Sequence, residues 1–417
     1  MGFAVIGCGF VADFYMATLR HYPGLVLAGA FDRDHGRLQA FSRHHRVKAF
    51  DSQETLLAEP GVEMVLNLTN PRSHYDVSRA CLLAGRHVYS EKPLAMDTAQ
   101  AVELAALARE LGLGLAAAPS SMLSTTCQTM WKALREDAIG PVRLVYGNFD
   151  AGMTHRQLLS RWRSASGAPW PAKDEFETGC TVEHAGYVLT WLAAWFGPAR
   201  RVHAFSSRLV PDKGFGADGS APDFSVGCIE YDRGVVARVT CSSVAPVDRS
   251  ITVVGEHGTL TAPSIRDDMA PVYHLRTPPN RILSGLGERM ERAASQWLPL
   301  PWSVTPPRFA RRVRPVRLPN AVVPNVAKPV DFLLGPFELA ESLRTGRPCR
   351  LSPELAVHVT ELVHAIQNPD HRTPVRLLKS GFEPITPLPE VSAARAPYAG
   401  NGQARQAATW SGAGTRQ

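Results

Sequence analysis

Residues 4–12 read Ala-Val-Ile-Gly-Cys-Gly-Phe-Val-Ala, and a second apolar run, residues 25–31, ends in Asp32. A short apolar strand feeding Gly-x-Gly-x-x-Ala and then a helix opens a βαβ unit built to hold a dinucleotide. Gly7 permits the tight turn, Gly9 lets backbone approach a pyrophosphate, and Ala12 lets the helix pack closely on the sheet. Phe10 and Val11 complete the turn, whose unpaired amides at the helix N-terminus face the phosphates. Asp32 is placed to hydrogen-bond a ribose 2′-hydroxyl, which favours NAD over NADP. Arg33 beside it is suited to stack on adenine, or to bind a 2′-phosphate if Asp32 turns away. A glycine-rich turn alone also joins strands to helices for packing; strand, fingerprint, helix and acid in this order point to a nucleotide.

Strand and helix signals alternate from residue 1 to about 120. Strand-like runs cover 3–7, 25–31, 64–69, 86–90 and 113–117, with helical patterns clearest at 74–84 and 97–111. Asp97 is a fitting N-cap and Gly112 a fitting C-terminal stop. This alternation predicts a Rossmann-type, doubly wound parallel sheet over residues 1–120. After residue 141 longer alternating runs (142–149, 201–207, 224–231, 235–242, 250–254) are joined by turns at 232–234 and 256–258, predicting an open-faced antiparallel sheet. Helices at 181–196 and 353–367 flank it. An α+β domain over 121–384 and a polar, disordered tail over 385–417 complete the expected organisation.

The formal net charge of +7 is concentrated in one stretch, described below. Seven cysteines lie far apart with no Cys-x-x-Cys pair, which argues for reduced thiols and against a disulfide frame or a metal centre. No apolar run approaches the roughly 20 residues that span a bilayer, and the N-terminus reads as a core strand rather than a signal peptide. The expected location is cytoplasmic.

Ligands bind at the carboxyl ends of strands in open parallel sheets. Besides the fingerprint, two segments fall there: Thr69-Asn70-Pro71-Arg72-Ser73-His74 and Ser90-Glu91-Lys92-Pro93. Glu91-Lys92 in isolation reads as a surface ion pair beside a turn proline. At a strand end it would point Lys92 into a cleft, where it could donate to a substrate oxygen, or take a proton if burial lowered its pKa.

Together with Gly255-Glu256-His257-Gly258-Thr259-Leu260, these motifs resemble the glucose-fructose oxidoreductase / inositol dehydrogenase / rhizopine-catabolism (Gfo/Idh/MocA) family over residues 1–262 and 329–377. The resemblance implies a nicotinamide cofactor, contacted among others by Thr69, Asn70, His74, Glu91, Lys92, Trp162 and Arg163. It also implies a sugar, cyclitol or related polyol as substrate, and a homodimer or homotetramer formed through the sheet face. Family members pair the lysine of Glu-Lys-Pro with an Asp and a His four residues apart on a helix. Matched at Trp195-Phe196-Gly197, this chain has Glu183 and Tyr187 there, and Thr190 where an acid is usual.

Residues 183 and 187 are one helical turn apart and share a face, with His184 at its edge. Tyr187 is assigned the exchange of the substrate hydroxyl proton. Lys92 supplies the positive charge that lowers the phenol pKa from its ordinary value near 10, and Glu183 orients both. The plainer readings are a core tyrosine for Tyr187 and a capping or solvated residue for His184. Residues 168–177 are expected to form an aromatic and charged loop beside the substrate.

Between 265 and 328 arginines dominate, Arg266 among them, and an apolar stripe from Ile282 to Leu298 predicts a helix. It is readable as a packed helix, a lid over an anionic or bulky substrate, or a membrane-surface helix; no motif for specific nucleic-acid recognition accompanies it. The leading functional expectation is an NAD(P)-dependent dehydrogenase acting on a hydroxyl or keto carbon of a sugar, cyclitol or glycosylated, including nucleotide-linked, substrate. An NAD-dependent glycosidase, a catalytically silent NAD-binding regulator and a reductase of non-sugar carbonyls are the alternatives.

Overall fold

The computed structural model describes residues 1–216, 219–277, 310–319, 329–370 and 375–392. Five strands, β1 (Gly2–Ile6), β2 (Val26–Phe31), β3 (Met64–Asn67), β4 (His87–Ser90) and β5 (Leu115–Ala117), form a parallel sheet in the order β2-β1-β3-β4-β5. The runs are apolar throughout because helices cover both faces; Phe3, Ala4, Val5 and Ile6 are all buried. The order reverses between β1 and β3, so the crevice that admits ligands opens above the ends of β1, β3 and β4. The helices are α1 (Ala12–Met16), α2 (His35–His45), α3 (Gln53–Ala58), α4 (His74–Leu83) and α5 (Thr98–Glu110). Asp97 accepts from the Ala99 and Gln100 amides at the start of α5, and Gly112 takes φ +66° just beyond its end, as the sequence indicates.

The second sheet has nine strands in the order β13-β12-β11-β10-β6-β9-β8-β7-β14. They are β6 (Val142–Asp150), β7 (Arg201–Ser207), β8 (Phe224–Glu230), β9 (Val236–Ser242), β10 (Ile251–Gly255), β11 (Gly258–Ala262), β12 (Tyr273–Arg276), β13 (Arg311–Arg312) and β14 (Val375–Leu377). The expected hairpins β8–β9 and β10–β11 are present. The sheet departs from pure antiparallel pairing at one seam, because β6 inserts between β9 and β10 and runs parallel to β9. Local turn chemistry does not specify that insertion. It follows from the buried side of β6, whose Val145 and Phe149 join the core. At Gly147 an added Cβ would stand 2.4 Å from Val188 of α8 (Cys180–Phe196), so helix and strand meet almost in contact.

α8 and the helix Pro353–Gln367 pack together against the sheet. The latter has the expected bounds, with Ser352 capping the Leu355 amide. Three helices were not anticipated: α6 (Thr125–Arg135), α7 (Ala172–Thr178) and Leu334–Thr345. α7 replaces part of the expected 168–177 loop; its Ala-Lys-Asp-Glu-Phe-Glu run consists of helix formers with acids in the first turn. The tail expected from 385 is ordered as far as 392, with a turn of helix at Pro389–Ser392 and Val391 fully buried. Residues 393–417 and the predicted stripe 282–298 lie outside the described residues.

Two carboxylates tie the halves together. Asp331 accepts from the hydroxyls of Thr18 and Tyr22, each at 2.6 Å. Asp13 accepts from the Ser166 amide and hydroxyl, both at 2.8 Å, and pairs with His45 at 2.6 Å. All seven cysteines are free thiols, five of them buried. Among the described residues no helix is long and apolar enough to cross a membrane.

Candidate active site in the cleft between the two sheets

A cleft of about 720 Å³ runs from the fingerprint, along the ends of β1, β3 and β4, to α8 and the far sheet. At its first end the two glycines differ in kind. Gly7 has φ +99°, and an added Cβ would lie 2.6 Å from the Leu68 carbonyl and the Thr69 amide nitrogen. Gly9 faces open space, with no protein atom within 4 Å of an added Cβ. The first glycine is required by the protein's own backbone, while the second leaves room for something else. Phe10 and Val11 line the cleft beside them, and Ala12 is buried beneath. Gly7→Ala is therefore expected to destabilise the fold by several degrees in melting temperature. Gly9→Ala should leave melting unchanged while weakening dinucleotide binding at least tenfold. Thermal denaturation and dinucleotide fluorescence titration on both variants check this.

Asp32 is buried and already partnered. Its Oδ2 accepts from the Cys8 amide at 2.8 Å and from Arg37 Nε at 3.2 Å, and its Oδ1 accepts from the Asp34 amide at 2.7 Å and from Arg37 Nη2 at 3.0 Å. Arg33 is exposed at the cleft rim. Asn70 Oδ1 is buried, lies in a residue that lines the cleft, and has no hydrogen-bond partner. An orphaned acceptor, open space above Gly9 and a carboxylate at the end of β2 fit a dinucleotide laid across this edge.

His74 lines the cleft and also braces its loops. Its ring nitrogens face the carbonyls of Pro93 (2.6 Å) and Thr69 (3.0 Å), bracing two strand-end segments, and burial holds its pKa below the ordinary value. Glu91 braces too, accepting from Tyr15 Oη at 2.7 Å and from the Lys92 amide at 3.0 Å. Trp162 lines the cleft and meets Trp170 edge-on at 5.1 Å. Arg163 does not reach the cleft; it is exposed and donates to the Gly167 carbonyl of its own loop at 3.0 Å.

The middle of the cleft is occupied by the ion pair of the Lys92 ammonium with Glu183 of α8. The Lys92 side chain is 18% exposed and Glu183 5%. Burial alone would lower the Lys92 pKa, but the carboxylates of Glu183, Glu175 and Glu91 outweigh it and the net shift is upward. The ammonium is held as one partner of an ion pair with Glu183, an arrangement that suits a donor to a substrate oxygen. Glu183 and Glu175 are both raised, chiefly by burial; for Glu175 the neighbouring Glu183 charge adds to it. Glu175, on α7, falls in the segment 168–177 expected beside the substrate, but nothing in its local pattern sets it apart from Glu177, a half-buried residue paired with Arg72.

One turn along α8, Tyr187 is buried and accepts a hydrogen bond from Arg266 Nη1 at 2.5 Å; the guanidinium lies 4.6 Å from the ring centroid. The cation at the phenol is Arg266, not the expected Lys92. Burial dominates, so the phenol pKa is raised, against the opposing pull of Arg266 and, more weakly, Lys92. His184 stacks on Phe149 at 4.3 Å with planes 9° apart, lines the cleft, and is held well below its ordinary pKa by burial and nearby cations. It lies in the cleft wall rather than at a helix cap. Arg249 and Phe332 complete the wall.

Residues 1–118 match the model of an oxidoreductase family with an NAD-binding Rossmann fold, GFO/IDH/MocA, and residues 127–261 match the GFO/IDH/MocA C-terminal domain. The chain belongs to the GFO/IDH/MocA oxidoreductases. A similar protein in this family is the trans-1,2-dihydrobenzene-1,2-diol dehydrogenase of Bos taurus, 26% identical over 260 residues, which are 61% of this chain and 71% of the relative. Among solved structures, the WlbA dehydrogenase of Bordetella pertussis, crystallised with NADH and UDP-GlcNAcA, is 17% identical. It superposes with a TM-score of 0.65 over 91% of this chain and 97% of its own. The aldose-aldose oxidoreductase of Caulobacter crescentus is 16% identical with a TM-score of 0.67, over 91% of this chain and 99% of its own. These superpositions show a shared GFO/IDH/MocA fold.

Proposed function

We propose that this oxidoreductase is an NAD-dependent dehydrogenase acting on a secondary hydroxyl, or the matching ketone, of a sugar-like polyol. The observation that carries this reading is the convergence of Lys92, Glu183 and Tyr187 at one point of the cleft, beyond the strand ends that would hold the dinucleotide. A vicinal diol is common to sugars, cyclitols and the dihydrobenzenediol in the name of the bovine relative.

A nicotinamide dinucleotide held along Gly9, Asn70 and Asp32 would supply the acceptor for the carbinol C–H hydrogen and its electron pair, while the O–H proton passes to a protein group and a carbonyl remains. Tyr187 is the proton-transfer group of this reading. Its oxygen accepts from Arg266; in oxidation the phenolate, stabilised by that guanidinium, takes up the substrate O–H proton, and in reduction the phenol returns it to the carbonyl oxygen. Lys92 donates to the same substrate oxygen and favours negative charge on it. Glu183 holds the ammonium in place, and the Trp162–Trp170 wall offers flat apolar faces to a ring.

NAD is favoured because Asp32 puts a buried carboxylate at the end of β2. The reading in favour of NADP rests on Arg37, which ties up both Asp32 oxygens and stands near exposed Arg33. Titration with both reduced cofactors is expected to give at least tenfold tighter binding of NADH. Tighter binding of NADPH overturns the choice. Growth of NADH absorbance on screening cyclitols, free sugars and glycosides with NAD tests the reaction itself. Release of free sugar with no net NADH identifies a glycosidase instead, and cofactor binding with no turnover on any polyol identifies a regulator.

A further inference from the structure

Apart from Arg33 at its exposed rim, the cations of the cleft fall into two groups. Lys92 is neutralised by Glu183, and Arg37 by Asp32 and Asp34. Arg249 and Arg266 have no carboxylate partner among the described residues. Arg249 has a buried Nε with no hydrogen-bond partner, and its guanidinium lies 5.4 Å from the Phe149 ring centroid. Arg266 spends one nitrogen on Tyr187 and otherwise faces the rings of Tyr187 and Phe332. Their proximity is built into the backbone. Arg249 bridges Ser264, and the Ile265 amide donates to the Arg249 carbonyl at 2.8 Å, so the segments bearing the two side chains run together. Burial and the Arg266 charge push the Arg249 pKa down, the signature of two like charges held together out of water. Guanidiniums half-buried against aromatic faces are poorly solvated, and a bidentate anion is the group that offsets such a cost.

We infer that the substrate carries an anionic group, a carboxylate or a phosphate, gripped by Arg249 and Arg266 while its carbinol lies at Tyr187 and Lys92. This rests on the dehydrogenase reading and names its substrate class. Because Arg266 itself reaches Tyr187, the anionic group belongs to the same small ring as the reacting carbon, as in a uronic acid or a sugar phosphate. Arg266 opens the arginine-rich stretch 265–328, so a part of that excess charge is a feature of the active site.

The test uses the full chain and three probes, glucose, glucuronate and glucose 6-phosphate, titrated by calorimetry with and without saturating dinucleotide. One or both anionic probes are expected to bind at least tenfold more tightly than glucose, and the better one identifies the headgroup. Arg249→Gln is expected to erase that preference while keeping the dinucleotide dissociation constant within about twofold, which also reports that it folds. Arg249→Lys is expected to retain part of it, and added salt to reduce it. Equal binding of all three probes, or none by the anionic ones, overturns the inference. So does an Arg249→Gln chain that loses dinucleotide affinity tenfold, since the arginines would then serve the cofactor's pyrophosphate. A wild type that binds neither NADH nor NADPH refutes the dehydrogenase reading, while the dinucleotide-free titrations still decide whether the arginine pair holds an anion.

Discussion

Lys92→Ala is expected to lower turnover by about a thousandfold while leaving the dinucleotide dissociation constant within a few-fold of wild type. The size follows from removing the one ammonium that lines the cleft among the described residues, a loss of the kind that costs on the order of 10²–10³ for one oxyanion donor. Folding is expected to survive. Glu183 is already raised by burial and takes up a proton when its cation leaves, so no bare carboxylate is stranded. Lys92→Arg is expected to rescue little, because a planar fork does not substitute for a compact ammonium in so tight a contact. Single-turnover hydride transfer measured with cofactor saturating separates the chemical step from binding. A variant retaining more than a tenth of the wild-type rate sinks the assignment.

Tyr187→Phe is expected to cost about 10²–10³ in turnover, within the range for one acid–base group. The pH profile carries the finer signature. Burial raises the phenol pKa in the folded protein, so at neutral pH the protonated form dominates and the phenolate grows only as pH rises. Oxidation, which needs the basic form, is therefore expected to accelerate with pH through the alkaline range, and reduction, which needs the acid, to fall over the same range. In Tyr187→Phe the remaining activity is expected to lose that dependence. An unchanged profile, or turnover within a few-fold of wild type, transfers the proton to another group. Glu175, with its raised carboxyl pKa, is then the first to replace.

The sequence made the parallel sheet legible because its information is local. Apolar runs buried on both sides, glycine at the turns and Asp97 at a helix start each act within a few residues. The second sheet was legible only as hairpins. Where β6 inserts is decided by its fit against α8 at Gly147 and Val188, forty-one positions apart, and no turn encodes it. The site divides in the same way. Lys92 is marked by its strand end and by the family resemblance, and Glu183 and Tyr187 are named through that resemblance, helical spacing then placing both on one face. Arg249 could not be named, since it owes its position to a segment pairing invisible in its own neighbourhood, and Glu175 is reached only as one member of the 168–177 stretch. Arg266 stands out only as one arginine among many, while His184, at the edge of the same helix face, reads as a catalytic candidate that would take the proton if Tyr187 did not.

The Asp331 carboxylate gives the order of assembly an unusual shape. While the chain emerges from the ribosome, every strand of the leading sheet is made by residue 117. The group that receives the Thr18 and Tyr22 hydroxyls, Asp331, arrives only about two hundred residues later. The nucleotide-binding half is therefore expected to stay loose along that flank, and attractive to chaperones, until the late segment docks and makes the early one rigid.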